Sequence, residues 1–288
     1  MTVLEVIQRS TEFLARKGVD SPRLQAELLL AHQLNLPRMK LYLNFERALA
    51  PAETDAFREL VKRRGQREPL QHIIGSVSFC GLEIAVNRSV LVPRPETELL
   101  AEQGWTFLSQ LSTAAAQPPT ALDFGTGSGC LAIALAAHCP AVHVVAIEIS
   151  AEALALARQN AVRHGVAARI QFLEGDGFAA LPDVARFDLI ISNPPYIPTS
   201  ELDALQPEVR DYDPRVALDG GTDGLDHYRR LAAEAAQFLK PGGKIMLEFG
   251  DGQAEPARAI YERQMWIVEA ILEDYTQRPR NLIARQPD

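Results

Sequence analysis

The apolar positions of this 288-residue chain fall into three regimes. Up to about residue 75 they recur at intervals of three and four, the period of short amphipathic helices. The stretch "SPRLQAELLLAHQL" predicts one such helix, with Ser21 as N-cap, Pro22 at the first helical position and Leu24, Leu28 and Ala31 on one face. "APAETDAFRELVKRRG" predicts another, with Phe57, Leu60 and Val61 inward and Gly65 as its stop. Lys62, Arg63 and Arg64 before that glycine suit the negative end of a helix. In "SVSFCGLEIAV" the period drops to two: Val77 and Phe79, a Cys80-Gly81 turn, then Leu82, Ile84 and Val86. That pattern predicts a β-hairpin.

From about residue 92 strands alternate with helices. Nearly continuous apolar runs predict strands at "TALDFG" from 120, "VHVVAIE" from 142, "RIQFLEGD" from 169, "FDLIISN" from 187 and "GKIMLEFG" from 243. Two weaker ones lie near 266 and 280. Between them "SGCLAIALAAH" and "SAEALALARQNAVRHG" read as helices, the second capped by Ser150 and stopped by Gly165. "TAAAQPPT" before residue 121 reads as a loop, and "LKPGG" at 239–243 as a helix stop and turn. Alternation of this kind predicts an α/β fold, a parallel sheet covered by helices on both faces. The expected organisation is a helical domain over 1–75, a hairpin linker over 76–91 and an α/β domain over 92–288.

Composition narrows the classes of function. No stretch approaches the ~20 continuous apolar residues of a membrane span. The N-terminal "MTVLEVIQRSTEF" contains acids and does not read as a secretory signal. Three cysteines without CxxC spacing and six scattered histidines argue against a disulfide framework and a metal site, so a cytoplasmic, metal-free protein is expected. The net charge of −8 is uneven: residues 1–75 hold 12 Lys and Arg against 9 Asp and Glu, and the remainder 17 against 28. A duplex of DNA calls for a concentrated basic face, which the acidic larger part does not offer.

The chemistry concentrates at the strand ends. The first strand of the alternation runs into "DFGTGSG", Asp123 to Gly129, where Gly125, Gly127 and Gly129 allow a tight turn and a ligand against the main chain. The G-x-G-x-G spacing is shorter than the G-x-G-x-x-G of dinucleotide sites and suits a nucleoside without a pyrophosphate. Glu148 closes the second strand, 19 residues after Gly129, where a carboxylate accepts both hydroxyls of a ribose. Asp176 closes the third and Asn193 the fourth, in "LIISNPPYIP". Pro194 and Pro195 cannot donate to a sheet, so the strand must stop there, either as a plain turn or as a rigid site.

Taken together, "DFGTGSG", Glu148 and "NPPY" resemble the methyltransferases that use S-adenosylmethionine. More narrowly, "VPRPETE" (Val92 to Glu98), "NPPY" and "DPRVALDGGTDGLDHYRRL" (Asp213 to Leu231) resemble the protein-(glutamine-N5) methyltransferases of peptide chain release factors, the PrmC/HemK family. The likeness spans essentially the whole chain. It implies a seven-stranded Rossmann-like methyltransferase domain behind a small helical domain that helps to hold a class 1 release factor, with no nucleic-acid substrate and no membrane. It implies cofactor contacts from Gly125, Thr126, Gly127, Ser128, Gly129, Glu148, Asp176, Gly177, Phe178 and Asn193. Two features depart from the family pattern: Glu148 stands where aspartate is commoner, and Gly177-Phe178 where a bulky aromatic often faces the adenine. Either Phe178 takes that role or the adenine pocket is more open.

The substrate residues implied are Asn193, Pro194, Pro195 and Tyr196. An amide nitrogen is a poor nucleophile, and no side-chain base can deprotonate it. The Asn193 side-chain oxygen and the Pro194 carbonyl can instead accept from both N–H groups, held stiffly by the prolines, while Tyr196 stacks on the carboxamide. In VPRPETE, Pro95 opens a helix with Glu96 and Glu98 in its first turn; Arg94, Glu96 or Thr97 either line the cleft or serve that helix alone. Gly220, Gly221 and Gly224 are expected to shape a loop beside the pocket. Rival readings are a glutamine methyltransferase of a ribosomal protein, an amino-methyltransferase of DNA, a non-catalytic S-adenosylmethionine sensor and an NAD-dependent dehydrogenase; the last two leave NPPY without a purpose.

Overall fold

A computed structural model describes residues 1–114 and 117–287. The chain forms two compact units, one of Met1–Ser76 with Leu205–Tyr212, the other of Val77–Ala204 with the chain from Asp213 on. Among the described residues no helix is long and apolar enough to cross a membrane.

The smaller unit is helical: α1 (Val3–Arg16), α2 (Pro22–Gln33), α3 (Arg38–Tyr42), α4 (Pro51–Gly65) and α5 (Leu70–Ile74). Ile7, Leu14, Leu29, Leu30 and Phe57 centre its core. The buried stripe of α2 is Ala26, Leu29 and Leu30, not Leu24, Leu28 and Ala31 as a set; Leu24 is exposed. The shift arises because α1 and α4 both pack on α2, and the helix turns that face toward them. Ser21 stands at the N-cap position but in the left-handed region (φ 48°), so its hydroxyl caps nothing. Gly65 is the last helical residue rather than a left-handed stop; Arg67 takes that conformation (φ 68°), and Gly65 leaves room for the Phe13 ring.

The basic run before Gly65 also does more than face a helix end. Arg64 is buried, and its Nη2 lies 2.7 Å from Glu208 Oε1 on α9 (Pro207–Arg210). Arg67 grips the same carboxylate through Nε and Nη2, each at 2.6 Å, and the Tyr212 hydroxyl donates to Gln66 O. Segment 205–212 is thereby clamped to the helices of its unit.

From Val77 on, the larger unit holds the hairpin of β1 (Ser76–Phe79) and β2 (Leu82–Ala85), turning through Cys80 (φ 50°) and Gly81 (φ 76°), a two-residue turn of the kind that matches strand twist. Phe79, Ile84 and Val86 sink into this unit's core. A seven-stranded sheet follows: β3 (Thr120–Phe124), β4 (His143–Glu148), β5 (Ile170–Glu174), β6 (Phe187–Ser192), β7 (Leu239–Glu248), β8 (Ile267–Glu273) and β9 (Pro279–Arg285). Its order is β5-β4-β3-β6-β7-β9-β8, parallel through β7, with β9 antiparallel between β7 and β8.

Alternate residues feed two layers. Ala121, Val144, Leu189 and Ile191 meet α6 (Pro95–Ala114), α7 (Cys130–His138) and α8 (Ala151–Arg163). Leu122, Phe124, Ile190 and Leu247 meet α10 (Asp226–Glu234) and α11 (Ala254–Arg263). Two expectations are corrected. "LKPGG" belongs to β7 as a bulge, since Phe187 pairs with Leu239 but Leu189 already pairs with Lys244. α6 extends through Thr113 and Ala114 of "TAAAQPPT"; Ala115 and Ala116 of that stretch lie outside the described residues.

The clamp on Glu208 yields a test. Burial opposes ionisation of Glu208, but hydrogen bonds from Arg67 and Arg64 outweigh it and hold its carboxyl below the usual range. Its contribution is therefore present at neutral pH and lost as pH falls through that lowered value. Glu208→Ala should cost about 1–2 kcal/mol, allowing for partial exposure, seen as a melting point several degrees lower at pH 7. The gap between variant and parent should narrow below pH 4. Equal melting points at pH 7 would show that the clamp stabilises nothing.

Candidate active site

β3 lies between β4 and β6, so successive connections leave the sheet in opposite directions at its carboxyl edge and open a crevice there. The glycine loop leaves β3 beside the point where Asn193 leaves β6, because Asp123 and Ile191 are register partners. Gly125, Gly127 and Gly129 all have positive φ (76°, 54° and 83°). A Cβ at Gly125 or Gly127 would meet no protein atom within 4 Å, so their bare faces open outward. A Cβ at Gly129 would press on Ile133 and Ala157; this glycine allows α7 and α8 to close together.

Asp123 holds the loop from behind. Its Oδ2 accepts from Thr126 Oγ1 at 2.6 Å and from Ala132 N at 3.0 Å. Burial nonetheless pushes its carboxyl up to about 7, against the pull of the Thr126 and Ala132 bonds. Asn160 of α8 joins the loop to the hairpin, donating to Ser128 O and Ala85 O and accepting from Ala85 N. Glu148 is fixed by three backbone N–H groups: Gly127 to Oε2, and Ile149 and Ser150 to Oε1, at 2.9, 2.9 and 3.0 Å. Asp176 pairs with Arg230 of α10 at 2.5 Å, and Arg230 also donates to the Asp176 carbonyl.

Asn193 is anchored through its amide nitrogen, which donates to Thr97 Oγ1 at 3.1 Å on the first turn of α6. Its Oδ1 is buried and has no hydrogen-bond partner. The chain beyond it is braced by the glycine loop at 220–224: Gly220 N donates to Ile197 O, Thr199 N to Gly221 O, and Gln253 Nε2 to Tyr196 O. Gly220 is needed because its backbone runs against the Tyr196 Cα.

These elements enclose a cavity of about 190 Å³. Of the residues named from the sequence, Gly125, Thr126, Gly127, Ser128, Glu148, Asp176, Gly177, Asn193, Pro194 and Pro195 line it. Three expected residues do not. Gly129 sits behind the loop in helix packing. Phe178 is buried in the core, stacked on Phe238 with centroids 4.8 Å apart, so it cannot face an adenine. Tyr196 packs against the same core, where burial pushes its phenol up to about 12.

Of the VPRPETE residues, Pro93, Arg94 and Thr97 line the cavity and Glu96 does not. Arg94 Nη2 lies 3.1 Å from Asp213 Oδ2, tying the stretch before α6 to the segment ahead of Pro214. Burial raises the Asp213 carboxyl to about 6 despite that arginine. Sequence reasoning missed Phe124, Ile149, His227 and Arg230, which also line the space. Phe124, His227 and Arg230 fell inside the quoted motifs without being singled out, and Ile149 directly follows the strand-end acid.

Comparison with known proteins decides the family. Residues 5–75 match the PrmC N-terminal domain and residues 103–206 the methyltransferase small domain. A release factor glutamine methyltransferase of Geobacter sulfurreducens is 50% identical over 262 residues, 91% of this chain and 89% of that protein. The chain belongs to the release factor glutamine methyltransferase family. A second member, from Chlorobaculum tepidum, is 43% identical over 285 residues, 98% of this chain and 96% of its own. The crystal structure of a Pyrococcus furiosus methyltransferase shares the fold, with a TM-score of 0.53 at 24% identity over 71% of this chain and 88% of that one.

The glycine loop rests on Asp123, and the titration of that carboxyl is measurable. A carboxyl whose folded pKa is raised binds its proton more tightly folded than unfolded, so stability falls as pH rises between 3.8 and about 7. Asp123→Asn should flatten that part of the stability curve, followed by urea unfolding at pH 5, 6, 7 and 8. An unchanged slope would place the titration elsewhere.

Proposed function

We propose that this chain transfers a methyl group from S-adenosylmethionine to the side-chain amide nitrogen of the glutamine in the GGQ motif of class 1 peptide chain release factors, leaving S-adenosylhomocysteine and a proton that the amide nitrogen gives up once it carries the methyl. The buried, unpartnered Oδ1 of Asn193 at the cavity wall is the observation that carries this reading. A buried acceptor without a donor costs free energy unless a ligand supplies one. A primary carboxamide brings two N–H groups, and the carbonyl of Pro194 is the second acceptor.

The cavity residues suit the cofactor. Glu148 has lone pairs beyond its three N–H bonds for the ribose hydroxyls. The bare faces of Gly125 and Gly127 leave space for the methionine portion. Ile149 and Phe124 offer the apolar surface an adenine needs, the role that Phe178 cannot fill. Bound there, S-adenosylmethionine supplies an electrophilic methyl group on a sulfonium. Asn193 and Pro194 hold the glutamine nitrogen so that its lone pair turns away from the carbonyl and toward that methyl. Alignment of this kind is worth roughly 7–11 kcal/mol when near-complete. The prolines keep both acceptors aimed, so little freedom is lost on binding. In this reading the helical unit contributes contacts to the release factor, and the enzyme works in the cytoplasm.

Asn193→Ala should lower methyl transfer by at least roughly 10²–10³-fold while S-adenosylmethionine affinity, measured by titration calorimetry, changes little. Radiolabelled cofactor offered with a release factor, ribosomal proteins and DNA in parallel should label the release factor. Label on DNA or only on a ribosomal protein would overturn the substrate, and near-normal transfer by the variant would overturn the role of Asn193.

A further inference from the structure

The cavity wall carries a charged residue that the methyl transfer just described does not use. Strand order decides which part of a ligand that wall meets. In the proposed reading the ribose lies on Glu148 at the end of β4, and the methyl group points toward Asn193 after β6. β3 separates those two strands, so the base must extend the opposite way, over the end of β5. There Gly175, Asp176 and Gly177 line the cavity, together with Arg230 from α10. Gly177 has no side chain to offer and could carry none. Its φ is 60°, and a Cβ would lie 2.7 Å from Phe124 Cζ and 3.0 Å from Arg230 Nη2. Phe124 and Arg230 thus fill the space that a side chain at 177 would need.

Arg230 is held there by its rim. Nη1 donates to Asp176 Oδ1 at 2.5 Å, Nη2 donates to the Asp176 carbonyl at 3.0 Å, and Nε lies 3.4 Å from Glu234 Oε1. Guanidinium N–H groups lie in the plane of the group, so these partners occupy its edge and leave its faces. The Phe124 ring is within cation–π reach, its centroid 6.0 Å from Arg230 Cζ. With two carboxylates already beside it, Arg230 has little charge left for an anion. What it retains is a flat, weakly hydrated surface of the kind that stacks on aromatic rings. We propose that Arg230 is the residue on which the adenine of S-adenosylmethionine stacks, with the Asp176 carboxylate accepting from the exocyclic amine. This rests on the cavity holding that cofactor, as given above.

The ion pair with Asp176 then serves orientation more than stability. The Arg230 side chain is 29% exposed and that of Asp176 is 66% exposed, and a pair so open to water adds little to folding. Its effect is to fix the long arginine side chain before the base arrives, so that stacking costs less freedom. Lysine could keep the charge beside Asp176 but has no planar group to present. The demand is therefore for the shape of arginine, which separates this role from that of a plain cation.

Titration calorimetry with two probes tests this: S-adenosylhomocysteine, and S-ribosylhomocysteine, which keeps the ribose and amino acid but lacks the base. Arg230→Ala should weaken S-adenosylhomocysteine by roughly 5- to 30-fold, leave S-ribosylhomocysteine unchanged and keep the melting temperature within about 3 °C. Arg230→Lys should lose nearly as much affinity as the alanine variant. In ¹⁵N NMR spectra the Arg230 Nε–H signal is assigned by its absence in Arg230→Lys. It should move upfield with S-adenosylhomocysteine, under the ring current of the base, and stay in place with S-ribosylhomocysteine. Parent-like affinity in Arg230→Ala would overturn the proposal. Parent-like affinity in Arg230→Lys would also overturn it, leaving Arg230 as a charge that holds Asp176. Equal weakening of both probes would make it a brace for the loop and likewise contradict stacking. In each of those outcomes the cofactor reading stands. A parent chain that does not bind S-adenosylhomocysteine removes that reading and the proposal together.

Discussion

β3 is hydrogen-bonded to β4 on one side and to β6 on the other, and the site depends on that adjacency. One neighbour brings Glu148 to the rim beside the glycine loop, where Gly127 N–H binds it directly. The other brings Asn193, an amide acceptor, to the opposite side of the same loop. In the proposed reading a nucleoside-binding half and an amide-binding half thus share one strand. Moving β6 one place along the sheet would separate them by about 5 Å, more than a methyl transfer tolerates.

The second requirement is rigidity, and here buried polar groups matter more than apolar ones. Asp123 ties the loop to α7, Asn160 ties it to the hairpin, and Thr97 ties Asn193 to α6. Each side chain satisfies buried or half-buried backbone or side-chain groups, so each fixes one geometry rather than adding general stability. The glycine loop at 220–224 braces the chain after the prolines in the same way. A transfer that relies on holding a weak nucleophile in line needs this kind of support.

The sequence made much of this legible. Strand ends rich in glycine, acid and amide stood out because such residues are costly in an apolar run unless they have a use. What it did not show depends on distant partners. The face of α2 was set by two helices packed on it, not by its own period, and Arg64 found its partner in Glu208, 144 residues away. Phe178 and Tyr196 were aromatic residues in the right places along the chain, but both pack with the core beneath the sheet instead of lining the cavity. The bulge at "LKPGG" hid because proline and glycine in a strand read as its end.

The central claim is that Asn193 and Pro194 accept the two N–H groups of a glutamine side chain. A crystal structure of this chain with S-adenosylhomocysteine and a GGQ-containing release-factor fragment measures it directly. The account predicts the glutamine nitrogen within about 3 Å of both Asn193 Oδ1 and the Pro194 carbonyl oxygen, facing the cofactor sulfur. A glutamine bound with its carbonyl oxygen toward Asn193, or with its nitrogen held by other residues, would contradict it.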